Sequence, residues 1–337
     1  MTGAKRSRTR IAVAGLGRMG RFHAQNLAYR TPSAELGMVI DAVEAVARQV
    51  GDDLGVPWGT SFEDVLRDDD IQAVAIVTPT SMHAPMVIAA AAAGKHIFCE
   101  KPIAFDQEAT RAAIHAARAA KVKLQVGFHR RFDPDWQAAN ERIRSGELGE
   151  VYLFRTSLRD KRPPSVEYMR TSGGFFTDVT IHDFDTARWM VGEIAEVTAV
   201  GAAVSEAARS IGDIDTAVVT VRFANGAVGV IDNSRAAGYG YECSTEVMGS
   251  LATARIGNHR RAHVEWLTPG QAAVDYVTDF TERYPTAYAR ELEDFASAIR
   301  DDRDVSVTGD DALAALILCE AAARSRHEER TVKVSLK

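Results

Sequence analysis

Arg10-Ile11-Ala12-Val13-Ala14-Gly15-Leu16-Gly17-Arg18-Met19-Gly20 decides the first half of the fold. A short apolar run ends at Gly15, glycines follow in the spacing G-x-G-x-x-G, and a helical pattern continues from Arg21 to about Tyr29. This is strand, tight turn, helix. In that context each glycine has its own reason: Gly15 permits the turn, Gly17 lets the backbone approach a pyrophosphate, and Gly20 lets the helix pack closely on the strand. The N–H groups at the helix start, around Arg18 and Met19, then hold the phosphates.

Working outward, residues 35–40 read as the next strand and end at Asp41, 21 residues after Gly20. An acidic side chain there accepts hydrogen bonds from an adenosine ribose and repels a 2′-phosphate. No arginine follows before Arg48, so NAD is expected rather than NADP. Asp41 can equally cap a helix over residues 42–50. Residues 71–77 form a buried-type strand running into Thr78-Pro79-Thr80-Ser81, and a helix over 83–93 stops at Gly94. The strand 96–99 leads into Glu100-Lys101-Pro102, and a helix over 111–120 and a strand over 123–127 follow. Strands alternating with helices at this spacing specify a parallel, doubly wound sheet. Ligands bind off the carboxyl ends of its strands. Thr78, Pro79, Thr80, His83, Glu100 and Lys101 therefore join the glycines and Asp41 as cofactor-side candidates. Lys101 alone would pass for a solvated lysine.

The second half is patterned differently. Asp133 and Pro134 suit the N-cap and first turn of a helix reaching about Arg144, stopped by Gly146. Beyond Gly149 the period becomes two, over 151–155, 195–204, 216–223, 227–232 and 244–248, with Asn225-Gly226 as a hairpin signal. A mainly antiparallel sheet with a face free for helices makes an α+β domain. The expected division is an NAD-binding Rossmann domain over 1–126 and a substrate-binding α+β domain over 127–337. The last helices, 291–300 and 311–324, are able to pack back on the first domain. The outer face of the second sheet is expected to serve as a subunit interface.

Gly173-Gly174-Phe175-Phe176-Thr177-Asp178-Val179-Thr180-Ile181-His182-Asp183-Phe184-Asp185 carries the chemistry. Helical from about 177 to Met190, it sets Asp178 and His182 four apart on one face, with Asp185 a turn further on. Phe176, Val179, Ala187 and Met190 then pack inward. A carboxylate beside an imidazole fixes its tautomer and stabilises the imidazolium, and Asp178 also suits the positive end of the helix. Taken alone, the pair reads as well as a surface Asp–His pair.

Composition sets the bounds. The 337 residues accommodate two domains, and 46% hydrophobic with 26% charged residues is ordinary for a soluble globular protein. A net charge of -6 speaks against nucleic acid or an anionic membrane as partner. Cys99, Cys243 and Cys319 are scattered and odd in number, so neither a disulfide framework nor a metal site is expected. The basic run Lys5, Arg6, Arg8, Arg10 precedes an apolar segment, 11–16, too short for a signal peptide. The alanine-rich stretch 86–93 is too short to span a bilayer. A cytoplasmic protein is expected.

The G-x-G-x-x-G of Gly15, Gly17 and Gly20, then Glu100-Lys101-Pro102, then Gly173-Gly174-x3-Asp178-x3-His182-Asp183-x-Asp185 resemble, in order and spacing, the Gfo/Idh/MocA oxidoreductase family over essentially the whole chain. Within it the chain is most similar to the inositol 2-dehydrogenases, through Gly127-Phe128-x-Arg130-Arg131-Phe132-Asp133, Arg159-Asp160, Ile181-His182-Asp183 and Gly240-Tyr241-Glu242. The resemblance implies a homotetramer that oxidises a ring hydroxyl of a cyclic polyol to the ketone with NAD. It makes His182 the general base, Asp178 its orienting partner and Lys101 the donor to the reacting oxygen. His129, Arg130, Arg159, Asp160, Tyr241 and Tyr284 become the substrate-side candidates. The chain departs from the subgroup's commoner residues at His129, at Leu158 and Lys161 flanking Arg159-Asp160, and at Glu242, which leaves the polyol open. An aldose or glycoside dehydrogenase of the same family, or a noncatalytic NAD-binding regulator, are the alternatives. Retention of Lys101, Asp178 and His182 together argues against the regulator.

Overall fold

The computed structural model describes residues 8–335; Lys5 and Arg6 of the basic run lie outside them. Cα packing groups the chain into two units, one of residues up to Phe132 with Thr286–Leu313, the other of Asp133–Pro285 with residues from Ala314 onward.

In the first unit six strands form a parallel sheet: β1 (Thr9–Ala14), β2 (Ala34–Ile40), β3 (Trp58–Gly59), β4 (Ala73–Ile76), β5 (His96–Cys99) and β6 (Leu124–Val126). Their order is β3-β2-β1-β4-β5-β6. Ile11, Ala12, Val13 and Ala14 of central β1 are all fully buried, as in a strand covered on both faces. The register sets Ala14 against Ile40 of β2 and Ile76 of β4, so three carboxyl ends finish level. The strand order reverses between β1 and β4, and such a switch point opens the ligand crevice of a doubly wound sheet. Helices Arg18–Tyr29, Glu44–Leu54, Thr80–Ala92 and Gln107–Ala119 alternate with the strands. The late helix Pro285–Arg300 adds Leu292, Phe295 and Ala296 to the core around Ile11, Val13 and Phe98. The Thr9 hydroxyl donates to the Ala296 carbonyl at 3.0 Å, tying that helix to the start of β1.

The second unit holds β7 (Val151–Arg159), β8 (Ile194–Ala202), β9 (Thr216–Phe223), β10 (Val228–Ser234), β11 (Glu242–Gly249), β12 (Thr253–Ile256), the hairpin β13 (Arg260–Thr268) and β14 (Gln271–Tyr276), and β15 (Val332–Lys333). Seven of them form one sheet, β12-β11-β7-β10-β9-β8-β15. It is the expected mainly antiparallel sheet, with β7 and β10 as a parallel pair. Gly226 takes φ +94° in the turn from β9 to β10, the left-handed geometry that Asn-Gly supplies. One face of the sheet receives the helix Ile181–Met190. There the fully buried Asp183 carboxylate accepts from Thr156 of β7 at 3.2 Å and from Asn233 of β10 at 2.9 Å. The Ala199 N–H of β8 donates to Ser325 at 3.0 Å, fastening the helix Gly309–Glu328.

One element differs from the expectation of a single helix over 177–190. Residues Phe176–Thr180 form a π-helical turn, and the α-helix proper is Ile181–Met190. The Ile181 N–H reaches back five residues to the Phe176 carbonyl, which also accepts the Cys319 thiol at 3.2 Å. Burial of Phe175, Phe176 and Val179 compensates the looser packing inside a wide turn. Hydrophobic spacing does not distinguish the two helix types over a single turn.

Candidate active site

The glycine turn of the first unit fits a dinucleotide. At Gly15 φ is +90° and a Cβ would stand 2.7 Å from the Val77 carbonyl oxygen; at Gly20 it would stand 1.7 Å from the Gly15 carbonyl oxygen. Both positions therefore require glycine for the protein's own packing. Gly17 does not, because a Cβ there would meet nothing within 4 Å. It serves as N-cap of the helix Arg18–Tyr29 without a side-chain cap, and the first turn holds no acidic residue. The positive end of that helix thus lacks compensation from within its own turn, as a phosphate site requires.

Asp41 closes the other side. Its Oδ2 accepts the Leu16 N–H at 2.8 Å and its Oδ1 the Val43 N–H at 2.9 Å. The helix behind it begins at Glu44 rather than at 42, so Asp41 braces the glycine turn instead of capping a helix at that position. Each oxygen retains acceptor capacity for ribose hydroxyls.

Two more turns meet this crevice, after β4 and after β5. His83 is buried between them, with Nδ1 2.8 Å from the Pro102 carbonyl and Nε2 2.7 Å from the Thr78 carbonyl. Burial lowers its pKa, although both carbonyls favour the cation. His23 Nε2 lies 2.7 Å from Glu100 Oε1, and Glu100 Oε2 accepts the Lys101 N–H at 3.2 Å. Burial would raise the Glu100 pKa, but the His23 hydrogen bond and neighbouring positive charge outweigh it and hold the carboxyl low. His129 is buried and stacks on Tyr288 with ring centres 4.5 Å apart, and Arg130 is buried beside it in sequence.

In the second unit, Asp178 lies in the π-helical turn and His182 in the first turn of the α-helix that follows. Asp178 Oδ1 accepts the Tyr168 hydroxyl at 2.9 Å, and Oδ2 is paired with the Arg235 guanidinium, whose side chain is 1% exposed. Arg235 also lies over the Phe175 ring, 5.5 Å from its centre. Strand pairing brings more of the candidates to this end of the sheet. Arg159 of β7 is opposite Ser234 of β10 and Glu242 of β11. The Asp160 N–H donates to the Ser234 carbonyl at 2.8 Å. Asp160, Arg235 and Tyr241 consequently flank the ends of neighbouring strands. Tyr241 and Tyr284 are buried edge to face, 6.3 Å apart.

Arg159 turns the other way. Alternation along β7 places Thr156 on the helix-bearing face and Arg159 on the opposite one, where it pairs with Asp232 and, at 3.0 Å, with Glu242. Tyr239 joins them through Glu242 and Arg159. Burial and its hydrogen bond to Glu242 raise the Tyr239 phenol.

Residues 9–128 match the oxidoreductase family's NAD-binding Rossmann fold, and residues 140–334 its C-terminal alpha/beta domain. The chain belongs to the Gfo/Idh/MocA oxidoreductase family. Among family relatives, the scyllo-inositol 2-dehydrogenase (NAD(+)) of Bacillus subtilis is 39% identical over 331 residues, 97% of each chain. The myo-inositol 2-dehydrogenase of Thermotoga maritima is 40% identical, over 96% of this chain and 98% of its own. The structure of the Lactobacillus casei scyllo-inositol dehydrogenase with bound NAD(H) and scyllo-inositol superimposes with a TM-score of 0.89 at 29% identity, covering 97% of this chain and 99% of that one.

For this Gfo/Idh/MocA chain, the sequence alone did not point to Tyr168, Arg235 or His23, which contact the candidate residues Asp178 and Glu100. Arg235 is 57 residues from its partner, and only the packing of the π-helical turn against β10 brings the two together. His23 had a local signal, a histidine one turn beyond Gly20 on the phosphate-binding helix, but its partner Glu100 is 77 residues away.

Proposed function

We propose that the protein oxidises a ring hydroxyl of a cyclic polyol, myo-inositol or a stereoisomer, to the ketone with NAD as hydride acceptor. The observation that carries this reading is the identity of about two residues in five, over nearly the full chain, with relatives named for that activity. NAD, when bound at the glycine turn, supplies the hydride chemistry.

The residues' own share is proton management and orientation. A carbinol carbon releases hydride only as its hydroxyl loses a proton, so a base is required at that oxygen, and His182 is assigned to it. Lys101 donates to the same oxygen and favours alkoxide character as the proton leaves. Asp178 orients the imidazole and supports its charged form, itself held by Tyr168 and Arg235. Gly17 and the helix start at Arg18 and Met19 take the pyrophosphate, Asp41 the ribose, and Thr78, Pro79, Thr80 and His83 shape the crevice. His129, Arg130, Asp160, Tyr241 and Tyr284 are assigned to the polyol's hydroxyls, while Arg159 acts by clamping the strand ends that carry Asp160 and Tyr241.

Domain roles follow: the Rossmann domain, expected over 1–126, serves the cofactor, with the late helix Pro285–Arg300 packed on its sheet, and the α+β domain, expected over 127–337, serves the substrate. We infer a homotetramer. Supporting it are the exposed, directly opposed Val200 and Val218 on the outer sheet face and the hairpin β13–β14, which leaves Val264, Trp266 and Leu267 uncovered. The three free, buried cysteines and the NAD requirement support a cytoplasmic setting. No helix of the described residues is long and apolar enough to cross a membrane.

The deciding experiment mixes the protein with NAD and a panel of inositols, aldoses and glycosides and follows NADH absorbance. Turnover of a cyclitol is expected. Turnover of aldoses alone would move the substrate class, and tight NAD binding with silence across the panel would favour a regulator.

A further inference from the structure

The helix Pro285–Arg300 presents Leu292, Phe295 and Ala296 to the nucleotide sheet, and Glu291 is buried beside them. The Glu291 side chain is 0% exposed and neither carboxyl oxygen has a hydrogen-bond partner. An unpaired carboxylate in such surroundings is strongly disfavoured and takes up a proton instead. The groups it faces are few. His23 from the helix Arg18–Tyr29 and Glu100 from the turn after β5 each bring a nitrogen or oxygen within 4.8 Å of a Glu291 oxygen and of one another. Tyr288, one turn earlier on Glu291's own helix, stands edge-on to His23 with ring centres 5.7 Å apart. Lys101 and His83 also act on Glu100.

Charge counting then leaves one arrangement. His23 and Glu100 are already joined at 2.7 Å, and a second negative carboxyl beside them, at a fully buried position, would be repelled by Glu100. Burial, then the negative charge of Glu100, both push the Glu291 carboxyl up in pKa. As an acid, Glu291 has an O–H to donate, and the Glu100 carboxylate brings an acceptor oxygen within 4.8 Å of it. Glu100 in turn accepts the Lys101 main-chain N–H.

We propose that Glu291 is a positioning residue: it is held as the neutral carboxylic acid and, with His23, fixes the Glu100 carboxylate and thereby the main chain at Lys101. The consequence for turnover rests on the role given to Lys101 above. The protonation state does not.

Two measurements on the NAD-saturated protein test this. The infrared difference spectrum of wild type against Glu291→Gln at neutral pH is expected to show the deuterium-sensitive carbonyl band of a protonated carboxylic acid. Its absence overturns the proposal whatever Lys101 does. In steady-state kinetics, Glu291→Gln keeps the shape and a donor and should hold kcat within about threefold, whereas Glu291→Leu should lower kcat about tenfold with KM and NAD affinity unmoved. Wild-type kcat should fall at alkaline pH as Glu291 loses its proton, and that component should be absent from the Gln variant. A Leu variant with wild-type kcat, or a Gln variant as impaired as Leu, overturns the positioning role. Should Lys101→Ala keep wild-type turnover while the infrared band is present, the catalytic reading fails and the neutral acid stands.

Discussion

Asp178 is held by Arg235, a residue 57 positions further along the chain whose guanidinium is almost wholly removed from water. With Tyr168 donating to its other oxygen, the carboxylate is fixed on two sides within its own unit. A buried pair broken by removing one partner costs about 3–5 kcal/mol, and Asp178 is slightly exposed, so the lower end applies. Arg235→Met should therefore lose about 3 kcal/mol in urea denaturation and lower turnover together with it. Arg235→Lys keeps the charge but not the flat contact with Phe175, and should lie between the two. Unchanged stability in the Met variant would show that the pair carries no energetic weight.

Lys101→Ala and His182→Ala should each reduce turnover at least about a hundredfold. Neither should alter NAD affinity appreciably, which fluorescence titration checks. Wild-type turnover in either variant removes that residue from the proposed chemistry.

The glycine turn separates folding from binding. Gly17→Ala places its methyl in open space, so the melting temperature should hold while NAD affinity drops. Gly20→Ala drives a methyl into the Gly15 carbonyl and should destabilise the apoprotein by about 1–3 kcal/mol. If both variants behave alike, in calorimetry and in titration, the division of labour is wrong.

Asp41→Ala removes an acceptor from Leu16 and Val43 as well as from the ribose. NAD should bind more weakly, and the preference over NADP should narrow because the repulsion of a 2′-phosphate is gone. A cofactor ratio equal to wild type would refute the ribose assignment.

Acid stability should report Asp311. Burial alone would raise its pKa, but Arg131 at 3.0 Å and the Thr308 amide and hydroxyl outweigh it and hold the carboxyl low. A carboxyl with a depressed folded-state pKa binds protons more readily once unfolded. Its stabilisation is complete above the ordinary carboxylate range and is lost as pH falls through the folded-state value. Asp311→Asn should cost about 1–3 kcal/mol at neutral pH and show a flatter decline in acid than wild type. Parallel pH curves would exclude the linkage.

Much of this was legible in the sequence, and the reasons are local. The crevice of the first unit is built from contiguous motifs, each tied to one strand end, so Gly15, Asp41, Thr78 and Lys101 can be placed by counting from strand to strand. Arg159 shows where counting stops. Its neighbour Asp160 and it are adjacent in sequence, yet the two-residue period of a strand sends the Arg159 side chain to the face of Asp232 and Glu242. Which face is which depends on where the helix Ile181–Met190 docks. Glu291 is harder still, since helical periodicity places it among core positions and only tertiary packing reveals that His23 and Glu100 are its neighbours.

The wide turn at Phe176–Thr180 has a bearing on how this segment tolerates change. Such a turn accommodates one residue more than a regular helix of the same rise, and each residue of a regular helix advances the azimuth by about 100°. Deleting Val179 there would relax it to ordinary helix and leave His182 three positions beyond Asp178 instead of four, changing the spacing of the pair. Length at this point is consequently as constrained as residue identity, and a one-residue deletion should abolish turnover in a protein that still folds.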